Sequence, residues 1–257
     1  MKFLNHGIEP LYKKLLRKTD YRLDWSQLPA AVHPSGGDLP KPRLERKCQQ
    51  LENMVRSVLD LAVSGQTIVD FCSGGGHLGL VLAYCLPRCK VLLIENKEAS
   101  LDRARARVKT LGIQNVTFYQ CNLGYYNGQF DIGVCLHACG VATDLVIKKC
   151  VEKLAAFVCC PCCYGSIHDT HLVNYPRSKK VALTEISHKE YILLCHAADQ
   201  TEVDTPSAEQ GKYCMGLVDT DRAFYAKEHE YTVTLSTLQP PSCTPKNNLL
   251  IGVPPTW

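Results

Sequence analysis

Short apolar runs alternate along the chain with longer stretches in which apolar residues recur every three or four positions. The runs predict strands, and the longer stretches predict amphipathic helices, because an apolar stripe at that spacing covers one helix face. The predicted strands are 67–72, 90–95, 116–120, 130–136 and 156–160, and the predicted helices are 42–63, 78–86, 97–111, 143–154 and 178–196. This alternation is typical of a parallel sheet with helices on both faces.

The pattern changes near the end of the chain. Residues 199–215 are polar and contain a proline and a glycine, which predicts a mobile loop. A short helix is predicted at 222–227, and two alternating runs at 231–238 and 248–253 predict strands. An antiparallel pair after five strand–helix units predicts one seven-stranded, mostly parallel sheet.

The first 41 residues differ in character from the rest. Four basic residues lie between positions 13 and 18 among leucines, which predicts either a helix with a cationic binding face or a simply solvated helix face. Prolines and glycines then become frequent up to residue 40. We therefore expect residues 1–41 to form a basic N-terminal extension and loop, and residues 42–257 to form one domain.

A glycine-rich turn follows the first predicted strand. The glycines at 74, 76 and 79 fit the pattern G-x-G-x-x-G, between a strand and a helix. Nucleotide-binding α/β domains open in this way, with a bare loop backbone that receives part of a cofactor. Two cofactor classes fit: a dinucleotide with a pyrophosphate, such as NAD or FAD, and S-adenosylmethionine (SAM), which has no phosphate.

Asp70 favours SAM. A carboxylate at the tip of the first strand would repel a pyrophosphate, but it would hold the ammonium group of the methionine end, directly or through water. Glu95 ends the second strand and is predicted to accept hydrogen bonds from both ribose hydroxyls, which either cofactor class requires. The alternative is an ordinary strand–helix–strand unit whose acidic residues lie at solvated strand ends.

Asn122 and His137 follow the third and fourth predicted strands, at the edge where open α/β sheets bind ligands. We expect Asn122 to accept a hydrogen bond from the adenine amino group. His137 is predicted to act as a general base or as a donor that orients the methyl acceptor, and the alternative is that it only fixes its loop. Thr143 is predicted to cap the following helix.

Four cysteines lie within five residues after the fifth predicted strand, at 159, 160, 162 and 163. Zinc is the less favoured interpretation, because adjacent cysteines do not easily share one tetrahedron and no second C-x-x-C exists, so we expect no metal. A disulfide is not expected in a reducing compartment. We interpret the run as a proline-fixed turn that lines the acceptor pocket, with Tyr164 stacked on a planar group such as a nucleobase.

Composition limits the class of protein. The chain has 257 residues, of which 46% are hydrophobic and 21% charged, and it offers no run of about 18 apolar residues that would predict a membrane span. Fifteen cysteines, several of them inside predicted elements, are typical of buried thiols in a reducing compartment, so we expect a cytoplasmic protein. The net charge of +4 permits a polyanionic partner without requiring one.

Three segments, 70–78, 137–145 and 159–165, resemble the methyltransferase domain of the glutathione S-transferase C-terminal-domain-containing family. They are more distantly similar to tRNA ribose 2′-O-methyltransferases, which have cysteines followed by histidines where this chain has Pro161, Cys162 and Cys163. The resemblance implies a class I SAM-dependent methyltransferase with a Rossmann-like, seven-stranded sheet flanked by helices. It also implies SAM contacts at Asp70, Ser73, Gly74, Gly76, Glu95 and Asn122, and an acceptor site at His137, Cys139, Asp144 and Tyr164.

The predicted function is therefore SAM-dependent methyl transfer to RNA, at a tRNA or rRNA nucleotide, with His137, Asp144 and Tyr164 as catalytic residues. Two alternatives stay open at this point. One is a methyltransferase that acts on proteins or small molecules, and the other is a non-catalytic binding module that keeps the fold. We find no DNA sequence-reading motif and expect no membrane partner, and the sequence specifies no oligomeric state.

Overall fold

A seven-stranded sheet runs through the centre of the computed structural model, which describes residues 2–18, 20–37, 40–201 and 205–257. The strands are β1 Thr67–Phe71, β2 Lys90–Glu95, β3 Val116–Gln120, β4 Ile132–Cys139, β5 Ala156–Cys162, β6 Thr232–Thr237 and β7 Asn248–Val253. Their order is β3-β2-β1-β4-β5-β7-β6. The first five are parallel, and β7 lies antiparallel between β5 and β6. The predicted sheet is confirmed.

Helices cover both faces of the sheet. They are α1 Lys2–Asn5, α2 Lys41–Leu59, α3 His77–Cys85, α4 Glu98–Leu111, α5 Val141–Lys153, α6 Lys179–Ala182, α7 His188–Ala198 and α8 Pro206–Lys227. α2, α3 and α4 pack on one face, whereas α5 and α8 pack on the other. Side chains alternate along a strand, so Ile68 of β1 contacts the first group and Val69 the second. Burial on both faces explains why the strands appear as continuous apolar runs.

The N-terminal extension packs against the rest of the chain at two places. Phe3 and Ile8 are buried in an apolar cluster with α7 and α8. Further on, the backbone N–H of Lys13 donates to the Leu235 carbonyl of β6 at 2.7 Å. The helix predicted at 13–18 is therefore wrong, because this stretch is extended and lies beside the edge strand.

The division of the chain into an N-terminal extension, residues 1–41, and one domain, residues 42–257, stays a prediction. Within the described ranges, no helix has the length and apolar character needed to cross a membrane.

The single long helix predicted at 178–196 is wrong, because the structure has two helices there. α6 ends at Ala182, and α7 begins after Ser187. The Ser187 side chain accepts the backbone N–H of Glu190, while the Glu190 side chain accepts the backbone N–H of Ser187. This reciprocal capping box starts a new helix inside the predicted one.

The mobile loop predicted at 199–215 is also wrong for the described residues, since α8 begins at Pro206 and continues through 222–227. Proline is tolerated in the first turn because its missing N–H would have no helical partner there. A Cβ on Gly211 would lie 2.0 Å from the carbonyl oxygen of Gln200, so this glycine permits close packing. Residues 202–204 of the predicted loop lie outside the described residues.

The end of β4 differs from the prediction in a way that changes the site. The strand extends to Cys139, so His137 lies within it rather than after it. Gly140 precedes α5, and Thr143 is therefore not the N-cap. The Thr143 hydroxyl donates instead to the Ala138 carbonyl at 2.7 Å, which fastens the first turn of α5 to the end of β4.

Candidate cofactor and acceptor site

A cavity of about 540 Å³ lies at the carboxyl ends of β1 to β4. Open α/β sheets bind their ligands at this edge. Among the predicted site residues, Glu95, Asn122, His137 and Cys139 line the cavity. The other lining residues are Cys72, Ile94, Asn96, Lys97, Cys121, Leu123, Gly124, Ala142 and Leu145.

Asp70 lies near the end of β1 and is only 2% exposed. Its carboxylate accepts the backbone N–H of Gly79 in α3 at 2.9 Å. Burial raises the pKa of Asp70 from 3.8 to about 7, while the Gly79 N–H and nearby Lys47 act in the opposite direction. Asp70 thus joins β1 to α3 in this structure, and its contact with the SAM ammonium stays a prediction.

The turn between β1 and α3 has a backbone that favours glycine. Gly74 has a φ of +54° and Gly76 a φ of +74°. A Cβ on Gly76 would also lie 2.7 Å from the Leu93 side chain. Ser73 Oγ is buried without a hydrogen-bond partner, at a cost of about 1–3 kcal/mol. This hydroxyl is free to bond a polar group of a ligand, and the cofactor contacts of Ser73, Gly74 and Gly76 stay predictions.

Glu95 connects the glycine turn to the end of β2. One carboxylate oxygen accepts the Gly74 N–H at 2.9 Å, and the other accepts the N–H groups of Asn96 at 2.9 Å and Lys97 at 3.0 Å. The Asn96 side chain in turn donates to the Asn122 side chain at 3.2 Å. These residues form a polar wall of the cavity, and the ribose and adenine contacts of Glu95 and Asn122 stay predictions.

His137 is held by α2. Its Nε2 lies 3.0 Å from Oε1 of Gln50, and the Gln50 amide nitrogen donates to the Cys243 carbonyl at 2.7 Å. Because that second bond fixes which end of the amide faces the imidazole, Nε2 carries the proton and Nδ1 is left as an acceptor. Burial and the positive charge of Lys47 lower the pKa of His137 to about 4. A neutral imidazole with a free acceptor nitrogen has the chemistry of a general base.

The backbone around the cavity is strained. Cys72 and His137, which both line it, have φ values of +56° and +66°. The pairing of β4 with β5 shifts register between Leu136 and Cys139, which redirects the side chains at the end of β4. Left-handed backbone in non-glycine residues costs of order 1–3 kcal/mol and tends to occur at functional sites.

Asp144 and Tyr164 do not reach the cavity, and their predicted roles need correction. Both side chains are buried, at 1% and 0% exposure. Asp144 accepts three hydrogen bonds from Arg222, the shortest at 2.6 Å, and one from Tyr175 at 2.8 Å. The Tyr164 hydroxyl donates to Asp219 at 2.6 Å. Acceptor contact by Asp144 and stacking on a nucleobase by Tyr164 are therefore wrong, because both side chains point into a network between α5 and α8.

The sequence pattern does not indicate the contribution of α2 to the site. Gln50 is 9% exposed and contacts His137, although 87 residues separate them. The local pattern gives no signal for this contact, because Gln50 lies outside the apolar stripe of its helix. Asn96 and Cys121 could have been found, since each directly neighbours a predicted cofactor residue at a strand end.

Comparisons with known proteins agree with this geometry. Residues 45–170 match a protein family that is described as a methyltransferase domain. The chain is 52% identical over 255 residues to the glutathione S-transferase C-terminal domain-containing protein of Mus musculus, and the match covers 98% of this chain and 40% of that protein. It is 48% identical over 236 residues to the Drosophila melanogaster homolog, covering 90% of this chain and 40% of that protein. The chain thus spans about two fifths of the length of these relatives.

A solved structure with the same architecture is the SAH-bound methyltransferase PaMTH1 of Podospora anserina. The TM-score is 0.53 at 11% identity, over 87% of this chain and 88% of that one, so the likeness concerns the fold. The predicted class I SAM-dependent methyltransferase fold is confirmed by this likeness and by the strand order. The chain is therefore a relative of the glutathione S-transferase C-terminal domain-containing proteins over nearly its whole length, and it carries a methyltransferase domain.

Proposed function

We propose that this chain binds SAM in the cavity at the ends of β1 to β4 and transfers the methyl group to an RNA nucleotide. The observation that carries the choice of RNA is a second, basic cavity, which includes the carboxyl end of β6. We call it the basic cavity and define it by Lys13, Lys14, Arg17, Arg22 and Arg56.

The polar groups at the first cavity fit SAM. Glu95 and Asn122 line it with oxygen acceptors, and the buried Ser73 hydroxyl has unused hydrogen-bonding capacity. When bound, SAM supplies a methyl group on a cationic sulfur, which is already electrophilic. The protein therefore has to align the acceptor and exclude water.

The basic cavity has about 630 Å³, and its lining contains five cationic residues and no acidic one. Arg17 donates to the Ser57 hydroxyl at 2.8 Å and lies 3.6 Å from Asp60, while Arg56 Nε is buried without a hydrogen-bond partner. Burial, and to a lesser extent the neighbouring charge of Arg56, lowers the pKa of Arg17, while Asp60 and Glu52 act in the opposite direction. Five cations converge on this cavity and, among the described residues, only Arg17 has an acidic partner, Asp60, which favours a phosphate-bearing partner.

Two features connect the basic cavity with the cofactor cavity. β6 runs parallel to β5, so Ser236 and Thr237, which line the basic cavity, lie at the same sheet edge as the carboxyl ends of β1 to β4. Helix α2 reaches both places, since Gln50 contacts His137 and Arg56 lines the basic cavity. Six residues of helix separate the two, about 9 Å along its axis. We therefore propose that an RNA chain bound by its phosphates in the basic cavity extends along α2 toward His137.

His137 is the proposed general base. If the acceptor atom carries a proton, Nδ1 is the nitrogen that takes it, because Nε2–H is engaged by Gln50. Gln50 is a positioning residue in this scheme, and Cys139 lines the same cavity close by.

The experiment is a methyl-transfer assay with labelled SAM on separate RNA and protein fractions, combined with RNA binding at several salt concentrations. We expect label in RNA only. Arg22→Gln and Arg56→Gln should each weaken RNA binding and reduce its salt slope by about 1, while SAM affinity by calorimetry stays unchanged.

Lys90→Gln is the matched control, because Lys90 is an exposed cation at the opposite end of β2. It should bind RNA like the wild type. Label in protein fractions would contradict RNA as the substrate, equal salt slopes in all variants would contradict the role of the basic cavity, and absent SAM binding would contradict the cofactor assignment.

We also propose a cytoplasmic location. Ten of the fifteen cysteines are buried, and many buried thiols are typical of proteins in a reducing compartment. Fractionation of cells that express the chain tests this, and recovery in a secreted or vesicular fraction would contradict it.

A further inference from the structure

Three thiols meet at the ends of β4 and β5. The Sγ atoms of Cys139, Cys162 and Cys163 all lie within 4.8 Å of one another, and those of Cys139 and Cys162 are 3.3 Å apart. Within the described parts of the chain, this is the only group of three histidine, cysteine or acidic side chains close enough to share one ion. We call it the thiol cluster.

Backbone geometry creates the thiol cluster. Cys139 and Cys162 are register partners that end the parallel strands β4 and β5. Cys163 follows directly and has a φ of +48°, and this left-handed turn lets two adjacent cysteines face the same point. Adjacent cysteines do not easily share one tetrahedron, but the left-handed turn at Cys163 removes this obstacle here.

The surroundings hold the three thiols in place. Gly140, directly after Cys139, has a φ of +53°, and a Cβ there would lie 2.5 Å from the carbonyl oxygen of Ser166. Its N–H donates to the Cys162 carbonyl at 3.2 Å. On the other side, Asp199 accepts the N–H groups of Tyr164 at 2.9 Å and Gly165 at 2.7 Å. The cluster is therefore fixed from both strands, as a preorganised ligand set requires.

We propose that the thiol cluster binds a thiophilic divalent cation, Zn²⁺, through Cys139, Cys162 and Cys163. Zinc–sulfur bonds of about 2.3 Å in a tetrahedron place sulfur atoms about 3.8 Å apart, which lies within the range seen here. Soft thiolate ligands select zinc over magnesium or calcium.

Three protein ligands leave one coordination position open. Cys139 is exposed and lines the cofactor cavity, whereas Cys162 is buried, so a bound ion would lie beside this cavity. Zinc sites with three protein ligands and an open fourth position bind water or a polar atom of a substrate there. The thiol cluster thus adjoins the proposed methyl-transfer site, and zinc binding there is independent of which molecule is methylated.

Metal content tests the proposal. The full chain is purified under reducing conditions, freed of metal with a chelator, and titrated anaerobically with Zn²⁺ against a chromophoric chelator. We expect one tightly bound ion per chain. Co²⁺ bound in its place should show the thiolate-to-cobalt charge-transfer absorption of a tetrahedral sulfur site.

Cys139→Ser and Cys163→Ser should each weaken zinc binding by more than about 100-fold, beyond the loss typical of changing an outer partner of a ligand. The matched control is Cys121→Ser, because Cys121 lines the same cavity but lies outside the thiol cluster. It should keep one ion. Since Cys139 is exposed, its variant should fold, and thermal unfolding checks this.

Three results would overturn the proposal. The first is that the reduced wild type binds no zinc. The second is that the Cys139, Cys163 and Cys121 variants bind zinc with equal affinity. The third is that mass spectrometry finds a Cys139–Cys162 disulfide in a chain that takes up no zinc after reduction. All three are distinguishable from failure of the proposed methyl transfer, because none of them is an activity measurement.

Discussion

Asp70 and Asp144 are equally buried acids near the same sheet edge, yet their surroundings differ. Asp70, near the end of β1, accepts one backbone hydrogen bond, from Gly79. Asp144, in the first turn of α5, accepts hydrogen bonds from Arg222 and Tyr175. Burial without an ion pair raises the pKa of Asp70 to about 7.

The difference separates the region around the cofactor cavity from the network between α5 and α8. Near the cavity, Ser73 Oγ has no partner and His137 keeps a free ring nitrogen. In the network, the Asp144 and Asp219 carboxylates are both bonded by the Arg222 guanidinium. The network also contains one buried polar atom without a partner, Nη2 of Arg177 beside Asp144. The candidate site is therefore marked by the combination of such atoms with left-handed backbone at Cys72 and His137, and not by polar residues as such.

The largest expected effect is on catalysis, at His137. His137→Asn removes the imidazole but tolerates the left-handed φ, so turnover should fall about 10²- to 10⁴-fold with nearly unchanged SAM affinity. Gln50→Leu should cause a smaller loss, because the imidazole remains but loses its orientation. Steady-state kinetics measure turnover and calorimetry measures SAM affinity. Unchanged turnover in His137→Asn would exclude His137 as the general base.

The pH dependence of turnover sharpens the same assignment. The pKa of His137 is lowered to about 4, so the imidazole is neutral at higher pH and becomes protonated only as the pH falls through that value. The contribution of His137 should therefore be constant above about pH 5 and lost below pH 4. A loss centred on pH 6.5 instead would mean that the imidazole is not buried as described.

The next effect concerns the network. Asp144→Ala leaves the Arg222 guanidinium buried beside one carboxylate fewer, and we expect a loss of about 3–5 kcal/mol in the free energy of unfolding. Asp102→Ala is the matched control, since Asp102 forms an exposed pair with Arg105 and should change stability by about 0–1 kcal/mol. Urea denaturation measures both. Similar losses in the two variants would remove the distinction between network and surface.

Asp70→Asn should have the opposite sign. The folded chain holds the Asp70 proton up to about pH 7, whereas the unfolded chain releases it near pH 3.8, so wild-type stability falls as the pH rises across that window. An asparagine still accepts the Gly79 N–H but carries no charge. The variant should gain up to about 4 kcal/mol above pH 7 and nothing below pH 3.8.

The same variant separates stability from function at Asp70. If the carboxylate holds the SAM ammonium, Asp70→Asn weakens SAM binding while it stabilises the chain, a trade-off expected at functional sites. Calorimetry with SAM and urea denaturation at pH 8 measure the two quantities. If the variant is less stable than the wild type at pH 8, the charged Asp70 carboxylate stabilises the folded chain and does not destabilise it.

The sheet could be predicted from the sequence, and helix α8 could not. β2 and β3 begin and end where predicted, because their apolar runs stop at charged or polar residues. In α8, four consecutive polar residues from Asp219 to Arg222 are buried at 0–1% exposure. Their polar composition is typical of a loop. The partners that allow them to be buried lie in distant segments, such as Tyr164 and Ser178, and the local pattern does not show them.

The candidate site could be predicted only where chain topology decides it. Glu95, Asn122 and His137 line the cavity because strand ends meet at one sheet edge. Asp144 was misplaced because the direction of a side chain in the first turn of a helix depends on what packs against that turn, here Arg222. The thiol cluster could not be predicted either, since it depends on the left-handed φ of Cys163.

The position of Lys13 beside β6 has a consequence for how the molecule behaves among its copies. An outer strand offers unpaired backbone groups to any other chain, and this can seed aggregation. Here the Leu235 carbonyl of β6 already accepts the Lys13 N–H, and Tyr12 forms a bridge to the same residue. The chain's own N-terminal segment therefore occupies part of this edge, a protection against intermolecular strand pairing that other sheets obtain from prolines or inward-pointing charges.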